Sequence, residues 1–250
     1  MIRIENVSFA HGAAPVLHDI SLDIPRGGIT ALVGANGAGK STLLSLIARL
    51  APLQGGRIVV DDLEVGACRS DELARKLAIL PQTADAAPRL TVRELVGFGR
   101  YPYHKGRPGR DDHAKVEAAI AAFELGALAD RPLDTLSGGQ RQRAQVAMTY
   151  AQDTDYVLLD EPLNNLDIAG SRALMQLLQH LAREHGRTIV VVLHDLNYAS
   201  AYADHLVTMR AGRIAEAGHP TEVVTADMLR DTFGTEAGVH HVNGAPVVLV

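Results

Sequence analysis

The sequence contains no tryptophan and only one cysteine, Cys68, among its 250 residues. A single cysteine cannot form an internal disulfide, and it excludes metal clusters built on two or four thiolates. Aromatic residues are scarce, with six Tyr and four Phe in the whole chain. Because binding of single-stranded nucleic acid depends on aromatic stacking platforms, a nucleic-acid partner is not expected.

Long apolar runs are also missing. The run at residues 189–193 has five residues, whereas a membrane-spanning helix needs ~20. The first residues, MIRIE, lack the apolar stretch of a secretory signal peptide. The sequence therefore predicts a cytosolic chain that other proteins would have to hold at any membrane where it acts.

The overall composition is that of an ordinary folded protein. Hydrophobic residues make up 47% and charged residues 21%, which excludes intrinsic disorder. The formal net charge is −5, so there is no strong global attraction to nucleic acid or to anionic lipid. The length suffices for one large domain or two small ones.

Apolar patterning predicts an α/β core interrupted by a helical insert. The predicted strands are residues 2–7, 20–24, 29–33, 57–60, 77–80, 156–160, 188–193, 206–210, 213–216, 239–242 and 247–250. The predicted helices are residues 40–50, 70–76, 91–99, 111–125, 138–151, 174–181 and 221–232. Strands cluster at both ends of the chain, and residues 88 to 152 are mainly helical.

Residues 34–41 read GANGAGKS and match the phosphate-loop pattern G-x-x-x-x-G-K-[ST]. Glycines let successive backbone N–H groups face phosphate oxygens at the start of a helix. Lys40 would reach the β- and γ-phosphates, and the Ser41 hydroxyl would ligate Mg²⁺. A chance glycine-rich turn is disfavoured because an apolar strand precedes the loop and an amphipathic helix follows it. The predicted nucleotide-binding residues here are Gly34, Asn36, Gly37, Gly39, Lys40, Ser41 and Thr42.

Two adjacent carboxylates end a second apolar strand, YVLLDE at residues 156–161. Open α/β sheets bind ligands at the carboxyl ends of their strands. Asp160 is therefore the predicted Mg²⁺ partner, and Glu161 the group that polarises the attacking water. The alternative is that these two carboxylates are merely solvated at the end of the strand, before Pro162. The presence of the phosphate loop makes this alternative less favoured.

A third motif, LSGGQ at residues 136–140, begins a predicted helix. Ser137 is a good N-cap, and the two glycines leave the helix start open to an anion. A capped helix start is common by itself, but this one lies only 23 residues before Asp160. The predicted nucleotide-binding residues here are Ser137, Gly138, Gly139 and Gln140.

Together these motifs resemble those of ATP-binding cassette (ABC) ATPases, in family order. LSGGQ looks like the family signature, and Gln82 resembles the Q-loop glutamine, which senses the γ-phosphate and Mg²⁺. Residues 162–167, PLNNLD, resemble the D-loop and make Asp167 a nucleotide contact, while His194 resembles the switch histidine. The resemblance implies that the catalytic residues are Lys40, Gln82, Glu161 and His194, and that the Mg²⁺ ligands are Ser41, Gln82 and Asp160.

One position departs from the family pattern. The family usually places an aromatic residue before the glycine of the first hairpin, where it stacks on adenine. In this chain, residues 9–12 read FAHG, so His11 takes that position, with Phe9 two residues earlier. The resemblance makes His11 the adenine contact. The alternative is that both side chains merely pack in the hairpin.

The resemblance implies the P-loop NTPase fold of ABC ATPases, an α/β class with an N-terminal antiparallel β subdomain and an inserted α-helical subdomain. Residues 1–250 would form one ABC ATPase domain. Residues 1–87 and 153–250 would make the RecA-like core with the β subdomain, and about 88–152 the helical signature subdomain. It also implies that two copies meet head to tail and enclose ATP and Mg²⁺.

Residues 96–106, VGFGRYPYHKG, and 161–167, EPLNNLD, resemble the ATPases of ferric-siderophore importers, a group close to the haem and cobalamin importers. The resemblance implies uptake of an iron chelate through separate transmembrane permease subunits that dock on the helical insert. A periplasmic or lipoprotein substrate-binding protein would take part indirectly. The chain would be peripheral, at the cytoplasmic side of the inner membrane.

Three alternatives remain beside this reading. The cargo could be haem or cobalamin, since those importer ATPases are close. A soluble ABC ATPase of translation or DNA repair usually has tandem cassettes or long coiled coils, and neither fits this chain. A regulatory cassette that does not hydrolyse ATP is disfavoured, because Lys40, Asp160, Glu161 and His194 are all present.

Overall fold

The computed structural model describes residues 1–82 and 89–249. The strands in these ranges are β1 (Ile2–His11), β2 (Ala14–Ile24), β3 (Gly28–Gly34), β4 (Arg57–Val60), β5 (Leu63–Glu64), β6 (Leu77–Leu80), β7 (Tyr156–Asp160), β8 (Thr188–Val192), β9 (His205–Arg210), β10 (Arg213–Gly218), β11 (Gly238–Val242) and β12 (Ala245–Leu249). The α-helices are α1 (Lys40–Ile47), α2 (Ser70–Lys76), α3 (Val92–Phe98), α4 (Tyr101–His104), α5 (Arg110–Ala122), α6 (Gly138–Ala151), α7 (Ile168–His185), α8 (Leu196–Tyr202), α9 (Pro220–Val223) and α10 (Ala226–Met228).

The chain forms two compact units. The first consists of Met1–Cys68 and Leu178–Val250, and the second of Arg69–Leu177. Within the described ranges, no helix combines the length and the apolar character that crossing a bilayer requires.

The first unit contains an antiparallel sheet in the order β2-β1-β4-β5. Along β1 the buried positions alternate with exposed ones, so one face of the sheet carries the apolar side chains. A second sheet places β3 between β8 and β9, both parallel to it, and β10 pairs with β9 in an antiparallel hairpin. Every residue of β8 is buried, as expected for a strand in a sheet covered on both faces.

The second unit contains the parallel pair β6 and β7 and most of the helices. Helices α3, α5 and α6 pack against one another. The apolar residues buried on these three helices are Val92, Leu95, Val96, Val116, Ala119, Ile120, Ala144, Val146, Ala147 and Ala151. Helix α3 begins with a capping box in which Thr91 and Glu94 satisfy each other's backbone N–H groups.

The predicted strands all correspond to strands of the structure, although residue 250 of the last one lies outside the described residues. The predicted helix at 221–232 is wrong as a continuous helix, since the region forms α9, α10 and a π-helical turn at Leu229–Phe233. The cause is local, because the Thr225 side chain accepts a bond from the Met228 backbone and starts a new helix there. Helix α4 was not expected.

Other boundaries differ as well, among them the ends of two helices. Helix α5 ends at Ala122 and not at residue 125, because Glu124 adopts a left-handed conformation (φ 53°) that cannot continue an α-helix. Helix α1 ends at Ile47, before the expected end at residue 50. The predicted subdomain boundary between residues 87 and 88 lies outside the described residues. The division into core and helical subdomain stays a prediction.

Candidate functional site

The phosphate-loop residues lie in the first unit, between β3 and α1. Gly34 ends β3 at a φ of 151°, and a Cβ at this position would lie 2.2 Å from the Met209 carbonyl oxygen of β9. Gly39, at a φ of 99°, would meet the Leu17 side chain at 2.5 Å. Both positions therefore require glycine, because strands β2 and β9 approach the loop so closely.

Lys40 lies beneath the loop, with 5% of its surface exposed. Its ammonium group donates hydrogen bonds to the carbonyl oxygens of Gly34, at 2.9 Å, and Ala35, at 3.1 Å. Asn36 and Gly37 are exposed at the loop's outer side. The buried cation is thus fixed by backbone oxygens at the point where a helix begins, a combination that suits an anionic ligand.

The start of α1 carries the remaining loop residues. The N-cap is Gly39, which has no side chain to cap the helix. Ser41 and Thr42 follow on the first turn and are half-buried. The backbone N–H groups of the first turn can therefore face a phosphate without a competing N-cap side chain.

His194 lies in the same unit as the phosphate loop. Strands β3 and β8 are parallel neighbours, and the Leu193 backbone N–H donates to the Leu32 carbonyl at 3.1 Å just beyond the last ladder pair. The loop and His194 thus follow the same edge of the sheet. His194 is exposed, and Asp195 caps α8 through bonds to the backbone of Asn197 and Tyr198. The capped helix start fixes the chain just after the histidine.

His11 is the last residue of β1 and is exposed, whereas Phe9 is buried. Their rings meet edge to face, with centroids 4.9 Å apart and planes at 88°. Phe9 therefore packs inside the hairpin and supports the imidazole of His11. The imidazole remains accessible to a ligand, and the assignment of adenine to it stays a prediction.

The second unit brings Gln82 and Glu161 together. The parallel register of β6 and β7 pairs Leu80 with Leu159, so the residues that follow both strands meet at one edge. The Gln82 side-chain amide donates to Glu161 Oε2 at 2.9 Å. Asp160, the last residue of β7, is buried, with 5% of its surface exposed. The carboxylates of Asp160 and Glu161 and the amide of Gln82 thus lie together where β6 and β7 end.

Glu161 itself occupies a tight turn. Its backbone is left-handed, with a φ of 53°, and its side chain is buried. The Asn164 side-chain amide donates to Glu161 Oε2 at 2.8 Å. Asn164 lies in the predicted D-loop but is not among the predicted site residues. Its signals in the sequence are its place in the predicted D-loop and its position three residues after Glu161, a spacing that brings residues together in a turn.

The signature residues begin α6 in the second unit. Ser137 and Gln140 form a capping box: the Gln140 backbone N–H donates to the Ser137 hydroxyl at 3.3 Å, and the Ser137 N–H to the Gln140 side chain at 3.1 Å. Ser137 and Gly138 are exposed. The helix start is therefore ordered and open at the surface of this unit.

The D-loop residues pack against this helix start. A Cβ on Gly138 would lie 3.1 Å from the Cβ of Asn165, and a Cβ on Gly139 would lie 3.1 Å from the Asn165 carbonyl oxygen. Asp167 is exposed, and its carboxylate accepts a bond of 2.7 Å from the Gly170 backbone. Glycine in the signature thus permits close contact between two predicted nucleotide-binding segments.

The helical part of the second unit also contains a cavity of about 480 Å³, bounded by residues of α3, α4 and α5. Two aromatic side chains stand at it in unusually exposed positions, Phe98 at 53% and Tyr101 at 56%. Exposed apolar groups beside a concave surface are typical of interaction sites.

A family profile described as ABC transporter matches residues 17–164. The chain is 47% identical over 233 residues to a petrobactin import ATP-binding protein, YclP, of Bacillus subtilis (strain 168), with 93% of this chain and 92% of that protein covered. It is 41% identical to a ferric enterobactin transport ATP-binding protein, FepC, of Escherichia coli (strain K12), with 99% and 93% covered.

Solved structures of ABC proteins are also similar to this chain. A metal-chelate type ABC transporter in an inward-facing conformation superposes with a TM-score of 0.84 at 26% identity, covering 100% of this chain and 97% of that one. The dimeric ATP-binding cassette MJ0796, bound to ADP and Pi in a post-hydrolysis state, superposes with a TM-score of 0.79 at 28% identity, covering 88% and 98%. These likenesses confirm the predicted fold class.

Proposed function

The chain belongs to the ABC transporter family, and from this premise we propose that it is the ATP-hydrolysing subunit of an importer for iron–siderophore-type chelates. The observation that carries the proposal is the 47% identity to a petrobactin import ATP-binding protein across 93% of the chain. The ferric enterobactin relative supports the same class of cargo.

ATP binding would begin at the phosphate loop. The Lys40 ammonium, now bonded to two loop carbonyls, would turn to the β- and γ-phosphates, and the uncapped start of α1 would receive phosphate oxygens. His11 would contact adenine. The edge-to-face contact with Phe9 would hold the His11 imidazole in one orientation, which supports stacking on the base.

The proposed ligands of Mg²⁺ are Ser41, Gln82 and Asp160. All three can offer oxygen atoms, the donor type that Mg²⁺ prefers, and the burial of the Asp160 carboxylate favours a role beside a cation. When bound, Mg²⁺ would neutralise charge on the β- and γ-phosphates.

Glu161 would act as the general base. It would accept a proton from water as the water oxygen forms a bond to the γ-phosphorus and the bond to the ADP oxygen breaks. Its carboxylate is held by Gln82 and Asn164 at the end of β7, which supports this assignment. His194 would contact the γ-phosphate.

The signature would serve a second copy of the chain. Ser137 and Gly138 are exposed at the start of α6, so a phosphate that arrives from outside the unit can approach them. Gly139, Gln140 and Asp167 would complete this contact. We propose a head-to-tail dimer in which ATP closes the interface and hydrolysis reopens it.

Separate transmembrane permease subunits would dock on the helical signature subdomain, proposed as residues 88–152. The exposed Phe98 and Tyr101 beside the cavity support this partner, because they offer apolar anchoring at a concave surface. The chain would then be peripheral at the cytoplasmic side of the membrane. A periplasmic or lipoprotein substrate-binding protein would deliver the cargo without touching this chain.

The test is the ATPase activity of the chain reconstituted with its permease in vesicles. A panel of binding proteins loaded with ferric siderophores, haem or cobalamin is presented in turn. Stimulation by a ferric siderophore alone supports the proposal. Stimulation by haem or cobalamin alone would assign the chain to those importers, and no stimulation by any of them would overturn the importer function.

A further inference from the structure

Two hydrogen bonds tie Asn164 to Glu161. The Asn164 backbone N–H donates to the Glu161 carbonyl oxygen at 3.2 Å, and its side-chain amide donates to Glu161 Oε2 at 2.8 Å. Asn164 is itself exposed, whereas Glu161 is buried. An exposed side chain thus turns inward to a buried carboxylate on its own turn.

The second donor to the same oxygen has a different origin. Gln82 reaches Glu161 Oε2 from the end of β6, 79 residues earlier in the chain. Gln82 is also a proposed ligand of Mg²⁺ through its amide oxygen, so the bond from its NH₂ group to Glu161 would depend on where the metal holds this side chain. The Asn164 bond lies within one short turn and needs no other segment to keep it.

The backbone of Glu161 makes such a tie useful. Its φ of 53° places the residue in the left-handed region, which sets the direction in which the side chain leaves the strand. A charge-assisted bond from an amide then restricts the rotation of the carboxylate. A fixed base is worth much more to catalysis than one that samples several rotamers.

We propose that Asn164 is a positioning residue for Glu161, which holds the carboxylate in the orientation needed to accept a proton from water. This inference rests on the proposed role of Glu161 as the general base. Asn164 would make no contact with ATP, so its loss would affect the rate of hydrolysis and not the binding of nucleotide.

The experiment compares two variants of the full chain, Asn164→Ala and Asn164→Asp. The first removes the donor, and the second replaces it with a carboxylate of the same shape that repels Glu161. We expect kcat for ATP hydrolysis to fall about tenfold in Asn164→Ala and further in Asn164→Asp, with KM for ATP changed less than about twofold. An unchanged kcat in both variants would overturn the inference.

Asn6→Asp is the matched control. The Asn6 side-chain amide donates to the Asp19 carboxylate at 3.0 Å, so this variant makes the same exchange at a pair outside the site. We expect its kcat and KM to equal those of the parent protein. An equal fall in kcat in Asn6→Asp would mean that general destabilisation explains the loss, and would also contradict the inference.

A second readout separates positioning from a structural role in the dimer. Glu161→Gln should trap an ATP-bound dimer, and the double variant Glu161→Gln/Asn164→Ala should trap it equally well, because positioning matters only for the chemical step. Loss of the trap in the double variant would assign Asn164 to the interface instead. Normal turnover in Glu161→Gln alone would defeat the proposed role of Glu161, a result distinct from the failure of Asn164.

Discussion

Gln82 and Glu161 are joined by a hydrogen bond of 2.9 Å between the side-chain amide and Oε2, although 79 residues separate them in sequence. The parallel register of β6 and β7 causes this meeting, because Leu80 pairs with Leu159 and both strands end at the same edge. A proposed metal ligand and the proposed base are therefore in contact within one unit. Any rearrangement of Gln82 changes the surroundings of Glu161.

Replacement of Glu161 by Gln tests the assignment of the base. We expect ATP binding to persist and hydrolysis to fall by about 10²-fold or more, because the amide cannot accept the proton from water. The ATP-bound dimer should then accumulate. Steady-state ATPase assays and size-exclusion chromatography with ATP measure the two effects, and turnover close to that of the parent would refute the assignment.

Gly139→Ala tests the close contact between the signature and the D-loop. The added methyl group would lie 3.1 Å from the Asn165 carbonyl oxygen and 3.3 Å from Leu166. We expect an intact fold and normal ATP binding at the phosphate loop, but at least about fivefold weaker ATP-induced dimerisation, equivalent to ~1 kcal/mol. Analytical ultracentrifugation with ATP measures this.

The matched control for this variant is Gly126→Ala. A Cβ at Gly126 meets no atom within 4 Å, so the same chemical change is made in open space. Its dimerisation should match that of the parent. Equal dimerisation in Gly139→Ala and the parent would show that the signature needs no glycine at this position.

Phe98 and Tyr101 test the docking surface. We expect Phe98→Ala and Tyr101→Ala to leave the ATPase activity of the isolated chain unchanged and to weaken its association with the permease by about 1 kcal/mol or more each. Leu50→Ala is the control, because Leu50 is equally exposed at 57% and lies in the first unit. Co-purification from detergent at several concentrations measures association, and equal recovery of all three variants would contradict the docking surface.

Local patterns explain why part of the site was predictable from the sequence. The phosphate loop and the β7 carboxylates follow short apolar strands. Gly34 and Gly39 mark positions where β9 and β2 come so close that a Cβ would collide with them. The Gln82–Glu161 bond was not predictable, because it requires the register of β6 and β7. Asn164 was missed for a similar reason, since only the fold of its turn directs an exposed amide inward.

The secondary structure was likewise predictable only where a local pattern marks it. Strand β8 is an apolar run after Thr188, and α6 follows an N-cap serine with a glutamine three residues later, so both could be recognised from the sequence. The region after residue 220 was misread as one helix because apolar spacing alone does not reveal that Thr225 restarts it. Helix α4 is too short for any period to be seen.

Arg100 lies at the centre of the helical region, with 4% of its side chain exposed. Its guanidinium donates to Asp112 at 3.1 Å and to the Ala151 carbonyl at 3.1 Å, and it stacks on the Tyr103 ring at 3.9 Å. We expect Arg100→Met to lower the free energy of unfolding by about 3 kcal/mol, because it leaves a buried carboxylate without its cation. Urea titration measures this.

Arg107→Met is the control for that variant. Arg107 is exposed in the loop before α5, and surface substitutions of this kind change stability by less than about 0.5 kcal/mol. A loss in Arg100→Met no larger than that in Arg107→Met would show that the Arg100–Asp112 pair adds nothing to stability.

The pH dependence of stability should identify the partner carboxylate. The Gly109 backbone N–H, with help from Arg100, holds the pKa of Asp112 below its usual value. A group with a lowered folded pKa stabilises the protein above its unfolded pKa of about 3.9, and this contribution is lost as the pH falls through the folded pKa. We therefore expect Asp112→Asn to be less stable than the parent at pH 6, with the difference shrinking below about pH 4. Urea titrations at pH 6 and below about pH 4 measure the difference in the free energy of unfolding between Asp112→Asn and the parent. A difference that is the same at both pH values would show that ionised Asp112 contributes nothing to stability.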